Sequence, residues 1–134
     1  MKNILISTGG SGGHVVPAKI LSEHLHSNFN VFISTDSRGL KYLDDEKNDI
    51  KNSNVFIFTL PTPINKSKKP DIKILKESTK NIANILKVGD LIIFESTVYP
   101  GLTDDILIPL IEKNSKLVLN KDFYCGYSPE RINP

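Results

Sequence analysis

Residues 3–14 are Asn3-Ile4-Leu5-Ile6-Ser7-Thr8-Gly9-Gly10-Ser11-Gly12-Gly13-His14, and this stretch decides the fold of the 134-residue chain. Residues 3–7 predict a buried strand, because the apolar run is short and shows no helical period. A turn of glycines follows at 9–13, and residues 15–26 predict a helix. Glycines let a backbone approach a ligand closely, and a helix N-terminus supplies unpaired N–H groups. The stretch therefore predicts a strand-to-helix turn shaped to receive a nucleotide.

Short apolar runs alternate with longer helical segments along the rest of the chain. The runs predict strands at 30–35, 54–59 and 90–95, with further candidates at 116–120 and 123–127. A helix is predicted at 71–88 with Gly89 as its stop, and another after Thr103 as N-cap, which Pro109 should kink or shorten. Apolar strands separated by single helices predict an α/β fold. We expect one truncated, Rossmann-like domain over residues 1–134, with a doubly wound, mostly parallel sheet.

Composition excludes several classes of protein. Lys and Arg number 17 against 15 acidic residues, and a net charge of +2 gives no case for nucleic-acid binding. Cys125 is the only cysteine, which excludes an internal disulfide and a zinc cluster, and we expect no metal site. The apolar start is too short for a signal peptide and no stretch is long enough to span a bilayer. The cytoplasm is the predicted compartment.

Small polar residues follow the predicted strands, at the edge of the sheet where open α/β folds bind ligands. Such residues can hydrogen-bond phosphates and sugar hydroxyls, or they can simply cap helices and end strands. Their recurrence on one edge favours a polar ligand site. These residues include Asp36, Thr62, Thr97 and Glu130.

The glycine turn departs from the dinucleotide-binding fingerprint. Counting G-x-G-x-x-G from Gly10 places Val15 where the third glycine belongs. Asp36 still ends the second strand, where an NAD-binding fold has its ribose-binding acid. His14 is either a general base or a helix-start histidine that hydrogen-bonds the loop. Cys125 lies in an apolar strand pattern, which favours a buried, inert thiol.

Residues 1–43 resemble the peptidoglycan glycosyltransferase that moves N-acetylglucosamine from UDP onto lipid I. The string from Ile4 to Ala18 carries the resemblance, supported by Arg38-Gly39-Leu40. It implies that Ser11, Gly12 and Gly13 line a UDP-sugar site. It also implies that His14 lies near the acceptor or acts as a base. The uridine-binding second domain of that family has no match here.

Residues 50–134 resemble the NAD-dependent nucleotide-sugar 6-dehydrogenases, nearest to the branch that acts on UDP-N-acetylhexosamines. The resemblance implies that Thr62 and Thr97 contact NAD, with Thr97 assisting catalysis. Glu130 would lie between nicotinamide and sugar and hold or activate the hydrolytic water. Three sequence signatures carry this resemblance: Leu60-Pro61-Thr62-Pro63-Ile64-Asn65, Glu95-Ser96-Thr97-Val98-Tyr99-Pro100-Gly101 and Tyr127-Ser128-Pro129-Glu130-Arg131-Ile132-Asn133-Pro134.

The two resemblances predict a chimera with a junction at 44–49, whether a gene fusion, a gene fragment or a composite of mixed environmental sequence. The dehydrogenase family's catalytic cysteine, lysine and asparagine and its sugar-binding domain lie beyond residue 134, and Cys125 is not that cysteine. We therefore expect a fragment of an NAD-dependent UDP-sugar dehydrogenase that is inactive alone. The alternatives are a fragment of the transferase and a non-catalytic nucleotide-binding domain. The oligomeric state is left open.

Overall fold

The computed structural model describes residues 1–36, 38–39, 50–65 and 67–128. The predicted junction at 44–49 and Glu130 lie outside these residues. Within the described part, no helix is both long and apolar enough to cross a membrane.

Five parallel strands form one sheet in the described part of the chain, in the order β2-β1-β3-β4-β5. They are β1 Asn3–Thr8, β2 Asn30–Ser34, β3 Val55–Thr59, β4 Leu91–Phe94 and β5 Tyr124–Tyr127. The α-helices are α1 Gly12–Leu25, α2 Lys73–Ala83 and α3 Ile108–Ser115, with a 3-10 turn at Ile50–Asn52. The predicted parallel, Rossmann-like fold is confirmed. The chain leaves β1 for β2 on one side and continues with β3 on the other, so the strand order reverses beside β1.

Both faces of the sheet are covered, and neighbouring residues of a strand contribute to different cores. Leu5 and Phe56 pack on one face with residues of α2 and α3, including Leu75 and Ile111. The other face joins Ile4, Ile6, Val31 and Ile57 to Ala18 of α1. The period-2 alternation of side chains in a strand produces this division. Helices on opposite faces make the sheet doubly wound, as predicted.

Helix α2 is shorter than the predicted 71–88. It begins at Lys73 and ends at Ala83, and the Ile85 N–H then donates to the Ile82 carbonyl at 2.9 Å. Further along, the Lys87 N–H donates to the Asp90 carboxylate at 2.8 Å. These bonds replace the i→i−4 pattern, so the chain leaves the helix before Gly89. Gly89, at φ +91°, lies in the turn that leads into β4.

The predicted N-cap role of Thr103 is wrong. Residues Thr103–Leu107 form a π-helical turn that follows Leu102, and no side chain caps it. The Thr103 hydroxyl is buried without a hydrogen-bond partner. Pro109 lies in the first turn of α3, where its missing N–H is tolerated. The chain remains helical through Pro109, and the change from π turn to α-helix lies next to this residue. The predicted kink or shortening stays a prediction.

The predicted strand at 116–120 is also wrong. Lys116 takes a left-handed conformation (φ +65°) that ends α3, and Asn120 takes another at φ +60°. The Val118 carbonyl accepts the N–H of Asp122 at 2.8 Å, which closes a tight turn. Leu117 and Leu119 pack against the core from this loop, whereas Val118 is exposed, so the apolar run marks a loop that covers the core. The neighbouring strand prediction is confirmed as β5.

Candidate functional site

A cleft of about 620 Å³ lies at the carboxyl ends of the strands, between α1 and the loops that follow β3 and β4. It is beside the point where the strand order reverses, between β1 and β3. Open α/β sheets bind ligands at this position, because the loops on either side of the reversal run in opposite directions. The cleft is lined by Ile6, Gly13, His14, Pro17, Ala18, Leu21, Thr59, Leu60, Pro61, Thr62, Pro63, Glu95, Ser96, Thr97 and Ser128.

Two glycines of the turn are packed against neighbouring loops. A Cβ atom on Gly10 would lie 1.9 Å from Asp36 Oδ1, and one on Gly9 would lie 2.7 Å from Pro61 Cδ. A side chain on Gly9 would meet the Pro61 ring, and one on Gly10 would displace the Asp36 carboxylate. The glycines therefore let the turn contact the ends of β2 and β3 at the same time.

The N-terminus of α1 borders the cleft without a side-chain cap. The Ser11 carbonyl accepts the N–H groups of His14 and Val15, each at 3.0 Å. The Ser11 hydroxyl makes no capping bond and lies 2.5 Å from His14 Nδ1. The first turn of the helix carries no acidic residue, and a Cβ atom on Gly13 would meet nothing within 4 Å. The helix N-terminus thus presents open space and positive potential to an anion.

The position of His14 bears on its two predicted roles. Its contact with the Ser11 hydroxyl is the hydrogen bond expected of a helix-start histidine that bonds to the loop. The ring also lines the cleft, so the role as a general base or acceptor contact stays a prediction.

Asp36 lies at the end of β2 and reaches across the glycine turn. Its Oδ2 accepts the Gly10 N–H at 3.2 Å, and its carboxylate pairs with the Arg38 guanidinium at 2.7 Å. Hydrogen bonds from Arg38 hold the pKa of the Asp36 carboxyl down at about 2, so it is ionised at neutral pH. Sequence reasoning found Asp36 but gave Arg38 no role at this site. The signal for Arg38 was an opposite charge two residues after the strand-end acid.

Thr62 and Thr97 meet on the other side of the cleft, although they are 35 positions apart. The Thr62 hydroxyl donates to the Thr97 carbonyl, which ties the loop after β3 to the loop after β4. Glu95, named above only within a signature, also lines the cleft. The structure therefore brings Thr62, Thr97 and the glycine turn around one cavity.

Cys125 lies in β5, partly buried on the face that packs against α2 and α3. Burial raises the pKa of its thiol from 9.0 to about 11, with a smaller contribution from the Asp104 carboxylate. The expected inert thiol fits this environment, since the thiolate is the nucleophile.

We expect Cys125 to react slowly with the disulfide reagent DTNB at pH 8 in the folded protein and rapidly in urea. The raised pKa favours the folded state below pH 9, and this contribution is lost as the pH rises through about 11. The pH dependence of unfolding should therefore differ between wild type and Cys125→Ala in this window. Equal DTNB rates with and without urea would contradict the assignment.

No group of His, Cys, Asp and Glu side chains in the described ranges is arranged to hold a metal ion. The site is built instead from a helix N-terminus, a carboxylate and hydroxyl groups.

Known proteins of similar sequence and structure show to which family the chain belongs. The sequence model of the NAD-binding domain of the UDP-glucose/GDP-mannose dehydrogenase family matches residues 19–134. The chain belongs to this family. The match begins inside α1, after the glycine turn, and the family domain implies NAD as the cofactor.

Curated proteins similar to this chain include dehydrogenases of this family. UDP-N-acetyl-D-glucosamine 6-dehydrogenase from Pseudomonas aeruginosa is 52% identical over 86 residues, which are 64% of this chain and 20% of the relative. The enzyme of the same name from Salmonella typhi is 44% identical over 99 residues, 74% of this chain and 23% of the relative. The chain thus spans about a fifth of the length of these relatives.

The predicted second resemblance has a weaker counterpart among curated proteins. An N-acetylglucosamine transferase from Pelagibacter ubique, acting on N-acetylmuramyl-(pentapeptide) pyrophosphoryl-undecaprenol, is 54% identical over 54 residues. The match covers 40% of this chain and 15% of the transferase. Both predicted resemblances are therefore found, and the dehydrogenase family accounts for more of the chain.

Solved structures place the fold in the same dehydrogenase family. The UDP-D-ManNAc dehydrogenase from Pyrococcus horikoshii has a TM-score of 0.74 at 27% identity, covering 97% of this chain and 37% of that one. A GDP-mannose dehydrogenase from Pseudomonas aeruginosa has a TM-score of 0.76 at 21% identity, covering 99% and 37%. The second likeness concerns the fold alone.

Proposed function

We propose that this chain is the NAD-binding part of a nucleotide-sugar 6-dehydrogenase whose substrate is a UDP-N-acetylhexosamine, acting in the cytoplasm. The observation that carries the proposal is the cleft itself, which joins the uncapped start of α1 to the Thr62–Thr97 contact. The substrate class rests on the relatives, which are named for N-acetylhexosamine nucleotides. Bound NAD would supply a hydride acceptor.

The pyrophosphate of NAD would lie at the N-terminus of α1, near Ser11, Gly12 and Gly13. Several features support this placement: no side chain caps the helix, its first turn holds no acid, and the space over Gly13 is open. A helix N-terminus of this kind stabilises negative charge through its N–H groups and its dipole. The missing third glycine is the departure from the fingerprint, and Val15 is fully buried in its place.

Asp36 would accept hydrogen bonds from the adenosine ribose. It is ionised, it is anchored to the turn through the Gly10 N–H, and it lies two residues after β2, the strand that precedes the ribose position in such folds. Thr62 and Thr97 would contact the nicotinamide half of NAD on the other side of the cleft.

Glu130 would hold or activate the hydrolytic water in the second stage of the reaction, assisted by Thr97. A carboxylate suits this task because it can accept a proton from water. We also propose that the 134 residues alone do not turn over substrate.

A thermal-shift titration tests the proposal. NAD at a hundred times its dissociation constant should stabilise the fold by about 2.7 kcal/mol, and ADP-ribose should act similarly. The chain has no tryptophan, so NADH fluorescence can be followed without indole background. Stabilisation by UDP-N-acetylglucosamine and none by NAD would contradict the proposal. NADH formation from a UDP-sugar would contradict the proposed inactivity.

UDP-sugar binding at the glycine turn is the second candidate. The transferase relative and the His14–Ser11 contact at the turn favour it. In that case Ser11, Gly12 and Gly13 would line the sugar-nucleotide site and His14 would face the acceptor. The UDP-N-acetylglucosamine arm of the titration separates the two candidates.

A further inference from the structure

The Asp36 carboxylate already has as many hydrogen-bond donors as it can accept. Its Oδ1 accepts the Arg38 backbone N–H at 2.9 Å and Arg38 Nε at 3.1 Å. Its Oδ2 accepts the Gly10 N–H at 3.2 Å and Arg38 Nη2 at 2.7 Å. An ionised carboxylate offers about four lone-pair positions, and all four are in use.

The donors fall into a fixed pair and a movable pair. The N–H groups of Gly10 and Arg38 belong to the backbone and stay with the turn. The Arg38 side chain supplies the other two. A ribose diol brings two hydroxyl donors, so it can bind Asp36 with both only by taking the positions that the guanidinium occupies.

Displacing the guanidinium is easy, because the ion pair faces solvent. The side chains of Arg38 and Asp36 are 72% and 44% exposed. Exposed ion pairs contribute little and are screened by salt. The Arg38 backbone N–H still holds Asp36, so a displaced guanidinium remains within one side-chain length of the ribose. Its planar fork of donors matches a phosphate group.

We propose that Arg38 determines the choice between NAD and its 2′-phosphorylated form: it competes with an unmodified ribose for Asp36 and pairs with a 2′-phosphate. This inference rests on the proposed function. Asp36 alone would repel a 2′-phosphate. Together with Asp36, Arg38 places a positive charge at the same position, which can bind the phosphate. The site therefore discriminates weakly between the two dinucleotides.

The test measures dissociation constants for NAD and NADP on the full chain carrying Arg38→Met. We expect NAD to bind about two- to fivefold more tightly and NADP about tenfold more weakly. Arg38→Lys keeps the positive charge but lacks the planar guanidinium. Its affinity for NADP should therefore lie between those of the wild type and Arg38→Met. Lys121→Met removes a positive charge at the opposite edge of the sheet and should leave the NAD-to-NADP ratio unchanged.

The outcomes separate this inference from the proposal beneath it. If Arg38→Met leaves the ratio of NAD affinity to NADP affinity unchanged, or weakens both dinucleotides equally, Arg38 does not compete with the ribose. Arg38 would then only hold Asp36 in position. A wild-type chain that binds neither NAD nor ADP-ribose would overturn the proposed function itself. Circular dichroism of each variant checks that it is folded.

Discussion

Replacing Gly13 with aspartate is expected to stabilise the fold and at the same time abolish NAD binding. A Cβ atom at this position meets nothing within 4 Å, so the side chain fits, and α1 has no other acid in its first turn. Negative charge there should add about 0.3–1 kcal/mol to the free energy of unfolding. The same charge would face the pyrophosphate, where repulsion near a protein surface is worth several kcal/mol, so affinity should fall at least about a hundredfold.

Urea unfolding and NADH fluorescence titration measure the two effects on the same sample. Gly13→Asn is the matched control, because it has nearly the shape of aspartate without the charge and should lose much less affinity. Undiminished NAD binding by Gly13→Asp would place the pyrophosphate elsewhere. A loss of stability would show that the space over Gly13 is not open.

Phe94→Ala should produce the largest loss of stability in the chain. Phe94 is fully buried in β4 and stacks on Phe58 of β3, with ring centroids 5.1 Å apart. Truncating a buried phenylalanine costs about 3–5 kcal/mol through lost transfer free energy and the cavity left behind. Since a small domain is stable by only about 5–15 kcal/mol, much of the total would disappear.

Tyr124→Ala is the control for this change. Tyr124 lies in the same sheet, on β5, but half of its surface is exposed, so its loss should cost about 1 kcal/mol or less. Chemical denaturation of both variants gives the comparison. Similar losses in the two would mean that Phe94 is not part of the close-packed core.

Short apolar runs predicted the strands well where neighbouring residues are buried on both faces of the sheet. The short apolar run at 54–59 predicted β3, and the run is apolar throughout because its neighbouring residues enter different cores. The same reasoning failed at 116–120, where apolar residues cover the core from a loop. Apolarity reports burial, and periodicity over five residues cannot separate a strand from a packed loop.

The ends of helices were less predictable for a related reason. Helix α2 stops at Ala83 because the turn that follows finds other partners, among them the Asp90 carboxylate for the Lys87 N–H. The π turn at Thr103–Leu107 likewise has no signature in its own residues. In the turn after α2 the Gly89 N–H also donates to the Asp122 carbonyl at 2.7 Å, a partner that becomes a neighbour only in the folded chain.

By itself, the sequence determined the strand–turn–helix at residues 3–25, the parallel sheet and the family, because these follow from local periodicity and from short motifs. Only the tertiary structure decided which distant residues meet. Asp36 contacts Gly10 from 26 positions away and Thr62 contacts Thr97 from 35. Such contacts depend on the strand order, which places β2 beside β1 and β4 beside β3. The glycine turn therefore contacts the Asp36 carboxylate, which pairs with Arg38, while Gly13 lines the cleft.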